Sequence, residues 1–180
     1  MNKLTRFFFK NGEYKIALPV LGLGFTLQAL LIMAYLPEFL HYSDNMKNPD
    51  QFFTYNYEYI VDLYQKLGEE GRKFYFNMLV VDFLYTTISG AGYSLLLAAL
   101  AKKEKWYIIL PLVLTLSDIF ENISQIILMN NFPAISPSGV AISSTFSSIK
   151  MTGGAIILSL ILFFIGRNII HWVKNKKTTV

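Results

Sequence analysis

Residues 106–130 read WYIILPLVLTLSDIFENISQIILMN. The run exceeds the roughly 20 apolar residues that cross a bilayer, yet its middle carries Asp118, Glu121, Asn122 and Gln125. On a helix these positions fall at i, i+3, i+4 and i+7 and form one stripe. Carboxylates in a membrane helix are costly and normally face a bundle interior or a wet cavity. This stretch therefore predicts the class of protein and the region where its chemistry lies.

Composition agrees with that class. Of 180 residues, 53% are hydrophobic and 16% charged, against about 25% charged in soluble domains. Mean hydropathy is +0.41. Cysteine is absent, which excludes disulfides, thiolate metal sites and thiol catalysis. The net charge of +4 comes from basic residues at helix ends, where topology requires them. Nucleic-acid binding is therefore not expected, and no motif points to a cofactor or a metal.

Outward from the central stretch, the spacing predicts an all-α, integral membrane four-helix bundle in one domain. Expected spans are about 16–36, 74–101, 106–130 and 150–172. Lys3, Arg6, Lys10 and Lys15 around Phe7–Phe9 fit a short interfacial segment. No small-residue cleavage site follows the first apolar run, which argues against a signal peptide. Asn48-Pro49-Asp50-Gln51 reads as a helix start. Phe53, Tyr57, Ile60, Val61, Tyr64 and Leu67 then recur at helical spacing up to Gly68. An amphipathic helix over about 49–67 is thus expected in the first connection, lying on the membrane or capping the bundle. Pro111 is a candidate kink, and residues 131–139, with two prolines and a glycine, read as a loop.

The N-terminal arm holds four Lys/Arg, the Lys102–Lys105 turn three and the C-terminal tail four. The connection 37–73 has four basic against seven acidic residues, and 131–149 has no basic residue. The positive-inside rule puts both termini and the short turn in the cytoplasm. A plain cytoplasmic (inner or plasma) membrane is the simplest location.

That orientation aligns polar residues from different spans. Asp82 on the second span carries companions at helical spacing: Tyr75, Tyr85 and Thr86. It falls roughly 12 Å below the outer end, at 1.5 Å per residue. Glu121, Asn122 and Gln125 fall in the outer half, with Asp118 near the middle. Lys150 enters with the fourth span, and Arg72 and His41 sit at the outer edge. The candidate catalytic set is Asp118, Glu121, Asp82 and Lys150. Asn122, Gln125, Tyr85, Thr86, Arg72 and Tyr75 are candidate ligand-binding groups. Three carboxylates against one lysine imply a protonated carboxyl, a bound cation, or Arg72 folded inward. Interhelical hydrogen bonding alone is the bland explanation for the same residues.

Three functions suit this pattern. The first is binding or processing of a lipid or small hydrophobic ligand, with Asp118 and Glu121 as an acid–base pair and Lys150 as electrostatic stabiliser. The layout resembles, in topology alone, sterol-isomerase-type (emopamil-binding) membrane proteins. No stretch matches a motif of that family, so no residue role is carried over. The second is a small ion- or proton-coupled transporter, which four spans without a repeat fit poorly. The third is a non-catalytic assembly subunit, with Gly22, Gly24, Gly90, Gly92, Gly153 and Gly154 as packing faces. Expected partners are membrane lipid, with a small hydrophobic ligand or a cation at the site. The sequence leaves room for a homo-oligomer and leaves open whether the protein is an enzyme. Asp82, Asp118, Glu121 and Asn122 could hold a hard cation, but their spacing is unspecific.

Overall fold

The computed structural model describes Lys3–Lys177 as helices joined by short connections, with no strand among the described residues. Among the described residues there are five helices: α1 (Lys3–Asn11), α2 (Tyr14–Tyr42), α3 (Tyr57–Ala101), α4 (Leu110–Asn131) and α5 (Pro137–Lys177). The last four are long and apolar enough to cross a membrane, by length and composition. Helix α2 runs along α3, α3 along α4 and α4 along α5.

Helix α2 continues well past residue 36, its expected end. A π turn over Leu31–Tyr35, closed by the Leu36 N–H on the Leu31 carbonyl, carries the helix to Tyr42. Pro37 falls in the first turn of the α segment that follows, where its missing N–H costs little. The chain then makes a tight bend, with Asp44 and Asn45 at φ 54° and 64°. Residues 43–56 form a strap across one end of the molecule.

The amphipathic helix begins later than its sequence signal. Asn48 does cap, accepting from the Asp50 N–H, but only the single 3-10 turn Pro49–Gln51 follows. The chain is extended through Phe52 and Asn56, and Asn56 is the effective N-cap, accepting from the Tyr59 N–H at 2.9 Å. Gly68 breaks the helix as its position suggests, at φ 61°, a value open to glycine. The two arms, 57–67 and 69–101, meet there without a loop. Ile60, Leu63, Tyr64 and Leu67 are buried, so the apolar face of the first arm packs on the protein itself. Lys102, at φ 55°, ends the second arm. Pro111 lies in the first turn of α4, after a 3-10 turn over Trp106–Ile109.

The apolar core is divided. At the strap end Phe39, Ile60, Leu63, Tyr64, Tyr75 and Leu79 are fully buried around Leu128 and Val140. At the end formed by the Lys102–Lys105 turn, Leu97, Leu100, Ile157, Ile161 and Phe164 make a second cluster. Phe8 of α1 docks beside it against Leu95, Ala98 and Ile108. The polar stripe of α4 lies between these clusters, where apolar packing gives way.

Candidate functional site

Lys150 of α5 is the centre of the site. Its Nζ lies 2.7 Å from Glu121 Oε2, 3.0 Å from Asp118 Oδ1 and 2.8 Å from Asp50 Oδ1. Asp118 and Glu121 are one helical turn apart on α4 and present both carboxylates to α5. Asp50 arrives from the strap, held by Asn48, whose Nδ2 donates to Asp50 Oδ2 at 3.0 Å. Carboxylate oxygens of Asp50, Asp118 and Glu121 lie within 4.8 Å of one another, a spacing a hard cation could use. The ammonium already sits among them. Glu121 is fully buried and Lys150 is only 19% exposed, so this cluster has little water to screen it.

A second pair adjoins it. Asn122 Nδ2 donates to Asp82 Oδ2 at 2.7 Å, and Thr86 Oγ1 donates to Asp118 Oδ2 at 2.5 Å. Asp82 has no ion-pair partner among the described residues. Asn122 is fully buried, and its Oδ1 has no hydrogen-bond partner among the described residues.

Behind the lysine lies a network that the sequence reading missed. Tyr55 of the strap donates toward Glu121 Oε1 at 3.2 Å and lies 2.8 Å from Ser143 Oγ. Gln125 Nε2 donates to the Tyr55 oxygen at 2.9 Å, and Tyr64 donates to Gln125 Oε1. Burial, and then the neighbouring Glu121 carboxylate, push the Tyr55 phenol well above its ordinary value. It stays protonated and serves as a donor. Ser144 Oγ accepts the Tyr55 N–H, while Ser147 and Ser148 donate to the Phe52 and Phe53 carbonyls. Ser143 and Ser147, and Ser144 and Ser148, each stand four apart on α5. That spacing was the available signal, since it aligns hydroxyls on one face.

A cavity of about 420 Å³ opens from this cluster. Asp50, Asp82, Asp118 and Lys150 line its polar end, with Tyr85 and Thr86 beside them. Leu31, Ile32 and Leu36 of α2, Leu114 of α4 and Ile157 of α5 form its apolar walls. The strap residues Asn48, Asp50 and Gln51 close one end.

The structure thus brings Asp82, Asp118, Glu121, Lys150, Asn122 and Thr86 together and sorts them. Asp82, Asp118, Lys150, Tyr85 and Thr86 face the cavity; Glu121, Asn122 and Gln125 stand behind its wall. Two candidates lie elsewhere. Arg72 does not fold inward: Nη1 donates to the Tyr64 carbonyl at 2.8 Å and the guanidinium lies 4.9 Å from the Phe132 ring centre. Tyr75 is fully buried and does not line the cavity; it donates to Oδ1 of Asn48, which does, at 2.9 Å. His41 is exposed on α2 beside Tyr42.

No protein-family model, curated protein or solved structure matches the chain. The topological likeness noted from the sequence therefore carries no activity over, and the site's own chemistry must carry the functional argument.

Proposed function

We propose that the chain is a multi-pass integral membrane protein, a four-helix bundle that binds or processes a lipid or small hydrophobic ligand in the outer half of the bilayer. Four long apolar helices support the membrane reading. So do the large apolar side chains left exposed along α2 and α5, such as Leu23, Met33, Leu158 and Phe163. The distribution of Lys and Arg supports cytoplasmic termini.

One observation carries the ligand reading. The cavity is two-faced, with carboxylates and an ammonium at one end and, over the rest, aliphatic side chains interspersed with the neutral polar groups of Gln28, Ser89, Tyr93 and Thr115. Its volume falls within the roughly 300–1,000 Å³ of small-molecule pockets. Asp50, Asp82 and Asp118 line it and Glu121 does not, so these three are the carboxylates that meet a ligand, and of them Asp82 alone has no ion-pair partner among the described residues. Glu121 and Tyr55 hold Lys150 and the strap in place.

Native mass spectrometry of protein released from lipid nanodiscs tests this. The wild type retains a small hydrophobic species beyond bulk phospholipid. The Asp82→Asn/Asp118→Asn variant loses it while keeping its helicity. Equal retention by both, or none by the wild type, contradicts the proposal.

A further inference from the structure

We infer that the ligand of this cavity is an amphiphile whose head donates hydrogen bonds, a hydroxyl or an ammonium and not an anion, and that it enters sideways between α2 and α5. The inference rests on the reading of the cavity as a ligand site in a membrane protein.

The head follows from which groups are already engaged. Lys150 is the one cation lining the cavity among the described residues. It hydrogen-bonds Asp50 and Asp118 and has Glu121 Oε2 at 2.7 Å. An ammonium has three donors, and three carboxylates surround this one. The Thr86 hydroxyl is spent on Asp118 and the Thr115 hydroxyl on main-chain carbonyls, while the neutral side chains of Gln28, Tyr85, Ser89 and Tyr93, which also line the cavity, can donate or accept and so leave the choice of head to charge. Asp82, by contrast, receives only the Asn122 amide and has no cation partner. Four carboxylates, Asp50, Asp82, Asp118 and Glu121, face one ammonium, so the cluster stays net negative, at −1, even with two of them protonated. A phosphate or carboxylate head would meet acceptors and excess negative charge. A donor head meets open carboxylate oxygens, and a hydrogen bond to a charged group stabilises by about 1.5–3 kcal/mol.

The route follows from the helix arrangement. Helices α2 and α5 both line the cavity but have no extended packing against each other. The strap closes the end beside the polar cluster, sewn to α5 by Ser144, Ser147 and Ser148. The open flank is therefore the seam between Ile32 on α2 and Gly154 on α5. Ile32 is 53% exposed. A Cβ built on Gly154 meets nothing within 4 Å. An alkyl chain can pass there while its head reaches Asp82.

The test uses the full chain in vesicles of zwitterionic phospholipid and three photoreactive probes. Each has the same twelve-carbon chain with a mid-chain diazirine, ending in an amine, an alcohol or a phosphate. Labelled peptides are mapped by mass spectrometry. Amine and alcohol should label the cavity walls of α2, α4 and α5 at least about tenfold more than the phosphate, a factor worth roughly 1.4 kcal/mol. Their ratio tells which donor is preferred. Gly154→Trp should cut that labelling to a similar degree. Gly22→Trp, at a glycine with equally open space but away from the cavity, should not. Phosphate labelling equal to the others overturns the head assignment and leaves the ligand site standing. Undiminished labelling in a folded Gly154→Trp protein overturns the lateral route. Should that variant not fold, Gly154→Cys carrying a bulky maleimide adduct serves, since the chain has no other cysteine. No cavity labelling by any probe defeats the underlying ligand reading as well.

Discussion

Lys150 donates to Asp50 over 2.8 Å, joining residues 100 positions apart and tying the strap to the middle of α5. This contact makes a connecting segment part of a buried polar site. It also places the strap's Tyr55 within reach of Glu121 and Gln125. The site is therefore built from the strap and three helices, and its parts are coupled.

Removing the lysine tests that coupling. Lys150→Met leaves Asp50, Asp118 and Glu121 without their cation. Breaking a buried pair by removing one partner typically costs about 3–5 kcal/mol. Adding Asp118→Asn and Glu121→Gln to Lys150→Met should recover much of the loss. Denaturant unfolding in one detergent measures both, and a triple variant no more stable than Lys150→Met contradicts the coupling.

The strap should respond to Asp50 alone. Asp50→Asn keeps the shape and removes the charge on Lys150, while Asp118 and Glu121 remain. Amide exchange over residues 48–56 should rise roughly tenfold, equivalent to about 1.4 kcal/mol of local stability. Exchange in α4 should be unchanged. Hydrogen-exchange mass spectrometry reads both segments at once.

Tyr55 gives a pH dependence with a definite sign. Its phenol is raised in the folded state, by burial and then by Glu121, so the unfolded chain loses this proton first. Stability from the group is full below about pH 10, the ordinary tyrosine value, and falls as the pH rises above it. Wild type should lose stability more steeply than Tyr55→Phe between about pH 9.5 and 11. Near neutrality, Tyr55→Phe should be less stable by about 1–3 kcal/mol, because Glu121 and Gln125 lose a buried partner. Parallel alkaline slopes in the two proteins would contradict the assignment.

Glycines separate packing from open surface. A Cβ on Gly90 would strike the Thr115 side chain and lie 3.4 Å from the Pro111 carbonyl oxygen. Gly90→Ala should destabilise by about 1–3 kcal/mol through overpacking between α3 and α4. Gly22 faces open space, so Gly22→Ala should stabilise α2 by about 0.5–1 kcal/mol through helix propensity. Thermal unfolding of both in one detergent checks the contrast, and equal melting temperatures would refute it.

The four long apolar helices and the stripe on α4 were legible because hydropathy and helical period are local properties. Asp82 and Lys150 were found because a charge inside an apolar run stands out. Asp50 was read only as part of a helix start, since a carboxylate in a polar connection looks ordinary. Ser143, Ser144, Ser147 and Ser148 passed unnoticed because serine in an apolar helix commonly satisfies itself on a carbonyl four residues back. Ser148 does so while also holding the strap. Arg72 looked available to balance charge, but the Tyr64 carbonyl and the Phe132 ring claim it. The Asn48–Gln51 signal started only one turn, and Ser144, Ser147 and Ser148 take up the backbone groups of Phe52, Phe53 and Tyr55 that a continuing helix would use.

The central claim is that the cavity between α2 and α5 holds an amphiphile at Asp82 and Asp118. A density map of the full-length protein, purified in native-lipid nanodiscs without detergent exchange, tests it most directly. The account predicts elongated non-protein density in the cavity, with its head within hydrogen-bonding distance of Asp82 and its tail emerging between Ile32 and Gly154. A map in which α2 closes onto α5, with Asp82 and Asp118 paired only to protein groups, would contradict it.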